Sequence, residues 1–218
     1  MQLTPSPAAA AIDRAIADIA QARTTNRTTT QQAEQASQAL DGFKPHIDTI
    51  HFDGPGKDVS GEGRALREMA ATSNGRATGA LTQHAQTVDT TADLAAQIDV
   101  ALAVLPASAS TARYYLEHAR QRTEEMNQFE VRDLGLCLRD GCRSLTTRLE
   151  PYLVEVEHDD TNRDVGRFAA DLSSTLANAH QAMAVGALDG EWVDRSLDDV
   201  NSYLVSARAA LPPRWQPV

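Results

Sequence analysis

The 218-residue chain is predicted to be all-α. Alanine, the best helix former, is abundant, and no alternating β-branched run reads as a strand. Apolar residues recur at spacings of three and four over long stretches, as on a helix with one buried face. The spacing also repeats itself within the chain. Asp93-Leu94, Ile98, Ala101, Ala103, Leu105 and Pro106 return 106 positions later, without a gap, as Asp199-Val200, Leu204, Ala207, Ala209, Leu211 and Pro212. The same offset pairs Phe43-Lys44-Pro45-His46-Ile47 with Leu149-Glu150-Pro151-Tyr152-Leu153, and Lys57-Asp58-Val59 with Arg163-Asp164-Val165. The expected architecture is an elongated antiparallel helical bundle built from two pseudo-repeated long helical hairpins. Residues 1–106 form the first hairpin and 107–218 the second, which ends in a Pro-rich tail; the two are separate domains or one continuous domain.

Ser6 before Pro7 starts the first helix, because the hydroxyl caps free amides and Pro has no donor to waste at the first helical position. Ile12, Ile16 and Ile19 make its apolar stripe. From Arg23 to Thr30 the run holds no apolar residue, which implies either a break or a polar layer on a continuous helix. Ala33, Ala36, Leu40, Phe43, Ile47 and Ile50 then form a seam that Pro45 bends, as Pro151 does in the second copy. The Gly-rich stretch from His51 to Gly63 is a connection; Gly54-Pro55-Gly56-Lys57 lacks the spacing of a phosphate loop and follows no strand. One long helix is expected from Arg64 to Leu105, with Leu66, Met69, Ala77, Leu81, Val88, Ala95, Ile98, Leu102 and Leu105 in a nearly heptad rhythm; Gly75 and Gly79, four apart, mark either a close crossing point for another helix or a break near Asn74-Gly75. Ser110 is expected to cap the next helix, from Thr111 to about Val156, with Tyr115, Ala119, Met126, Phe129, Leu134, Leu138, Leu145, Leu149 and Leu153 inward. After a loop, Val165, Phe168, Leu172, Leu176 and Met183 carry another helix; Asp189-Gly190 signals a turn, and Val193, Leu197, Val200, Leu204 and Leu211 are buried by the last.

Net charge is −10, with 12 acidic against 8 basic residues through position 106 and 18 against 12 beyond it. Such a surface repels phosphate backbones and anionic lipid, so neither nucleic acid nor membrane binding is expected. No run approaches 18 consecutive apolar residues, hence no membrane span. The first residues lack the basic segment and apolar run of a secretory signal, which gives a cytoplasmic location, with leaderless export compatible. Cys137 and Cys142 make no disulfide framework and no zinc set; they are read as buried, inert thiols.

The densest polar constellation is Glu155, His158, Asp159, Asp160 and Asp164, the weak candidate metal site. Asp159-Asp160-x-x-x-Asp164 resembles the metal motif of terpenoid cyclases, but the chain is too poor in aromatics to line their pocket. His158-Asp159 resembles the dipeptide of HD-type phosphohydrolases, with His118 and Asp194 the only further ligands to nominate. Glu155-x-x-His158 resembles half of a ferritin-like di-iron site, whose second half is missing. Helix capping accounts for these Asp residues without a metal, and no cofactor is expected. The Ala, Gln and Thr content resembles that of small helical-hairpin proteins of type VII secretion, without their Trp-x-Gly turn. Trp192, after the Asp189-Gly190 turn, is expected in the core, and Trp215 in the tail as an anchor for a partner.

The leading functional expectation is a non-enzymatic helical interaction, scaffold or assembly protein that binds a protein partner or itself, with Gly75, Gly79 and Trp215 as candidate contacts. The alternatives are a metal-dependent hydrolase working through residues 155–164 and an acidic, antitoxin-like or regulatory protein that masks a basic partner surface.

Overall fold

The computed structural model describes residues 6–52, 58–158 and 165–211. It is all-α: helices α1 (Pro7–Gln38), α2 (Phe43–Phe52), α3 (Ser60–Ala103), α4 (Ser110–Met126), α5 (Arg132–Arg143), α6 (Glu150–His158) and α7 (Val165–Ala209), with no strand among the described residues. Two single-turn π-helical segments, Asn127–Val131 and Ser144–Arg148, join α4 to α5 and precede α6.

Local chemistry sets most of the ends. The Ser6 hydroxyl accepts a bond from the Ala9 amide at 3.1 Å and starts α1 at Pro7, as the sequence predicts. α1 stops where Gly42 takes φ +82°, a left-handed conformation that costs a glycine nothing. Pro45 and Pro151 both fall in the first turn of the short helices α2 and α6, where an amide has no intrahelical partner to lose. Asp58 caps α3 by accepting from the Ser60 amide at 2.9 Å, and bonding to the Ser60 hydroxyl and amide holds its carboxyl below the usual carboxylate range. Ser110 does not cap α4: it is the first helical residue, and Ala109 before it makes no side-chain capping bond. The Asp189-Gly190 turn is likewise absent, because α7 runs through both residues. A Gly inside a helix costs only about 1 kcal/mol, which the packing of the flanking turns outweighs.

The described chain divides into two compact units. The first comprises residues 1–28, 83–133 and 189–218. Its helical stretches form an antiparallel ring: α1 meets α7 through Arg208 and Asp13 at 2.8 Å and Arg23 and Asp198 at 2.7 Å, while α4 meets α3 through Arg120 and Asp99 at 3.0 Å. Its core grades from aliphatic residues such as Ile12, Leu94, Leu116 and Leu204 to a buried polar layer of Asn26, Thr87, Thr91, Thr123 and Ser196. Of the two readings of residues 23–30, the continuous helix with a polar layer is the one found. The Asn26 amide donates to the Gly190 carbonyl at 2.7 Å, which replaces the water it loses.

The second unit comprises residues 29–82 and 134–188. Leu40, Ile50, Leu66, Leu149, Leu172 and Leu176 form its core, with Phe43 and Ile47 at its edge. A Cβ on Gly141 would lie 1.9 Å from Met183 Cε, so the end of the Met183 side chain fills the space that a side chain at 141 would take.

Burial follows the 106-residue offset from Leu149 onward: Phe43, Ile47, Leu66, Ala77, Thr87, Leu94, Ile98 and Ala101 are buried, and so are Leu149, Leu153, Leu172, Met183, Val193, Val200, Leu204 and Ala207. Before Leu149 the gapless offset fails. In α4 the buried residues Ala112, Leu116, Ala119, Thr123 and Met126 match Ala8, Ile12, Ala15, Ile19 and Ala22 at an offset of 104. Between the π segments Val131, Leu134, Leu138 and Leu145 match Asn26, Thr29, Ala33 and Leu40 at 105. A π turn accommodates one extra residue in a helix, and the offset grows by one across each segment.

Candidate functional site

The residues singled out from sequence are scattered. Gly75 is exposed, with open space where a Cβ would stand. Gly79 is already covered, because a Cβ there would lie 2.8 Å from Gln32 Oε1. Glu155 is exposed on α6, and His158 is the last residue of that helix. Asp159, Asp160, Asp164 and Trp215 lie outside the described residues. Among the described residues no three His, Cys, Asp or Glu side chains gather as a metal set. His118 is engaged by aromatic rings, 4.3 Å from Tyr114 and stacked on Tyr203 at 5.5 Å; Asp194 pairs with Arg23 and Arg27. No helix among the described residues is long and apolar enough to cross a membrane.

Two features that the sequence did not reveal stand out, one in each unit. In the first unit, Trp192 is 54% exposed rather than in the core, and Phe129, expected inward, is 50% exposed. Phe129 belongs to the first π segment, whose extra residue turns it off the buried face. Between them lies a polar clasp. Buried Ser196 donates to Glu130 Oε1 at 3.2 Å or to the Trp192 carbonyl at 3.0 Å, and the Arg122 guanidinium bonds both Ser196 and Glu130. Arg195 lies 4.6 Å over the indole of Trp192. The clasp fixes α4 against α7 and so fixes where these two aromatics stand.

In the second unit, α5 and the second π segment run antiparallel to α7 and leave an open groove of about 330 Å³. Cys137, Asp140, Ser144 and Arg148 form one wall at successive helical turns. The facing wall on α7 presents two amides, Asn178 and Gln181, and then Ala182 and Val185. Ser144 and Arg148 are the first and last residues of the π segment. Cys137 and Cys142 form no disulfide with each other and are both half-buried, so the expectation of buried thiols holds only in part, and Cys137 lines the groove. Burial pushes the Cys142 thiol above its ordinary value, opposed by a bond to Thr78.

No protein-family model matches the sequence, and no curated protein is significantly similar to it.

Proposed function

We propose that the chain is a cytoplasmic, non-enzymatic interaction protein that binds a protein partner, or a second copy of itself, through helix faces. The observation that carries this reading is the exposure of Trp192 and Phe129 on the two segments of the first unit that the Arg122, Glu130 and Ser196 clasp joins. Large aromatics dominate the energy of protein interfaces, and an ordered one left in water gains by being covered. Gly75, with open space over it, is a second place for a helix to dock in this reading, and Trp215 a further anchor.

Native mass spectrometry and co-purification from the source cell, with wild-type chain and a Phe129→Ser/Trp192→Ser variant, test the proposal. A defined complex or dimer in the wild type that the variant loses while keeping its helical circular dichroism supports it. An unchanged set of species in the variant refutes it.

We also propose that the chain is a duplicated helical hairpin whose second copy gained one residue at each π segment. The boundaries of the two compact units support this: 28/29 and 82/83 in the first copy correspond to 133/134 at offset 105 and to 188/189 at offset 106.

A further inference from the structure

We propose that the groove between α5, the second π segment and α7 binds a short peptide of about three residues, carrying both a free amino and a free carboxylate terminus. Asp140 and Arg148 stand eight residues apart on one wall, about 12 Å at α-helical rise and less where the π segment from Ser144 to Arg148 widens the turn. Neither has an ion-pair partner among the described residues, and both side chains are exposed. An extended tripeptide spans roughly 10 Å at 3.3–3.6 Å per residue, so its ammonium reaches Asp140 while its carboxylate reaches the Arg148 guanidinium.

Between the two charges the groove offers what peptide bonds require. Gln181 faces the Asp140 end and Asn178 the Ser144 end, because α7 runs antiparallel to α5, with Gly186 against Leu134 and Leu138 and Gly141 against Met183. A primary amide both donates and accepts, as a peptide group does, and the Ser144 hydroxyl does the same. Past Asp140 the wall turns apolar at Val185, with the Cys137 thiol opposite, which suits a small apolar first side chain. The groove is also of a suitable size, since about 330 Å³ accommodates a tripeptide of small residues. This site stands apart from the aromatic face of the first unit and does not depend on it.

The test uses the full chain and trialanine with free termini, followed by isothermal titration and NMR shifts. Saturable binding with a Kd on the order of 0.1–1 mM is expected, with shifts centred on residues 137–148 and 178–185. Asp140→Asn and Arg148→Gln should each weaken it about tenfold, the loss of one charge-assisted contact. N-acetyl-trialanine should lose affinity for the wild type but not further for Asp140→Asn, and trialanine amide should behave likewise with Arg148→Gln. Trialanine should also slow maleimide labelling of Cys137 relative to Cys142. Absence of saturable binding at 10 mM, on the order of ten times the weakest expected Kd, overturns the proposal. So does binding indifferent to either capped terminus or either variant.

Discussion

Gly141→Ala should destabilise the protein although alanine is the better helix former. The new Cβ would sit 1.9 Å from Met183 Cε, 3.2 Å from its Sδ and 3.4 Å from its Cγ. Ordinary carbon contacts lie at about 3.5–4.0 Å, so the Met183 terminus must retreat by roughly 1.6–2 Å. Met183 has no solvent-exposed surface, which leaves only other core atoms to retreat into. Overpacking of this kind costs about 1–3 kcal/mol, and helix propensity returns about 1 kcal/mol, for a net loss of about 0–2 kcal/mol. Gly75→Ala provides the control, since nothing lies within 4 Å of its Cβ and only the propensity gain of about 1 kcal/mol remains. Urea unfolding followed by circular dichroism should therefore separate the two variants by about 1 M in midpoint, with Gly75→Ala the higher. Adding Met183→Leu to Gly141→Ala removes the offending terminal methyl and should recover most of the loss. Equal midpoints for the two alanine variants would refute this packing of Met183 against Gly141.

Asn26→Ala removes a fully buried donor to the Gly190 carbonyl and should cost about 1–3 kcal/mol in the same urea experiment, whereas Thr28→Ala on an outer face should be near neutral. Because the Asp58 carboxyl is held below its unfolded value, its cap is fully formed above the ordinary carboxylate range. It is lost as pH falls through the lowered value, so the Ser60 amide should exchange with solvent faster only in strong acid, and at all pH values in Asp58→Ala. The raised Cys142 thiol predicts slow alkylation near neutral pH that accelerates only in alkali, measured by mass spectrometry of maleimide adducts. Deleting Gln128 from the first π segment should change stability by under about 1 kcal/mol, since it leaves three residues between Met126 and the following buried Val, as between Ala22 and Asn26. Deleting Gln121 from α4 should cost several kcal/mol by turning Thr123 and Met126 out of register.

The long helices were legible because the sequence writes the helical period directly: Leu66, Ala77, Ile98 and Leu105 fall at buried positions, although Val88, on the same expected seam, is 42% exposed. Phe129 was misplaced for the same reason. A strict 3.6-residue period carried across residues 127–131 points it inward, and nothing in Asn-Gln-Phe-Glu-Val announces a π turn. Gly75 and Gly79 drew notice through their spacing, yet the tightest glycine contact is at Gly141, where the deciding neighbour, Met183, is remote in sequence. The groove was invisible for a related reason. Its two walls come from segments without a recognisable motif, and only the antiparallel pairing of α5 with α7 brings Asp140, Arg148, Asn178 and Gln181 together.

The proposed duplication gives that groove a physical origin. In the first copy the positions equivalent to Cys137 and Val185 are Gln32 and Gly79, and there the Gln32 side chain lies directly over the glycine and fills the face. The second copy has a short thiol in place of the long amide and a branched side chain in place of the glycine, and both line the groove. The extra residue of the second π segment then enters where the first copy breaks its helix at Gly42, and carries Ser144 to Arg148 along the opened face. If the chain is duplicated as proposed, two small changes and one insertion would turn a packed surface into an open one and keep the equivalent positions Ala36 and Gly141, and Leu40 and Leu145, buried. A copy that already supplies its unit with a complete core is free to lose packing on its outer face, and that is where binding chemistry can accumulate at little cost to stability.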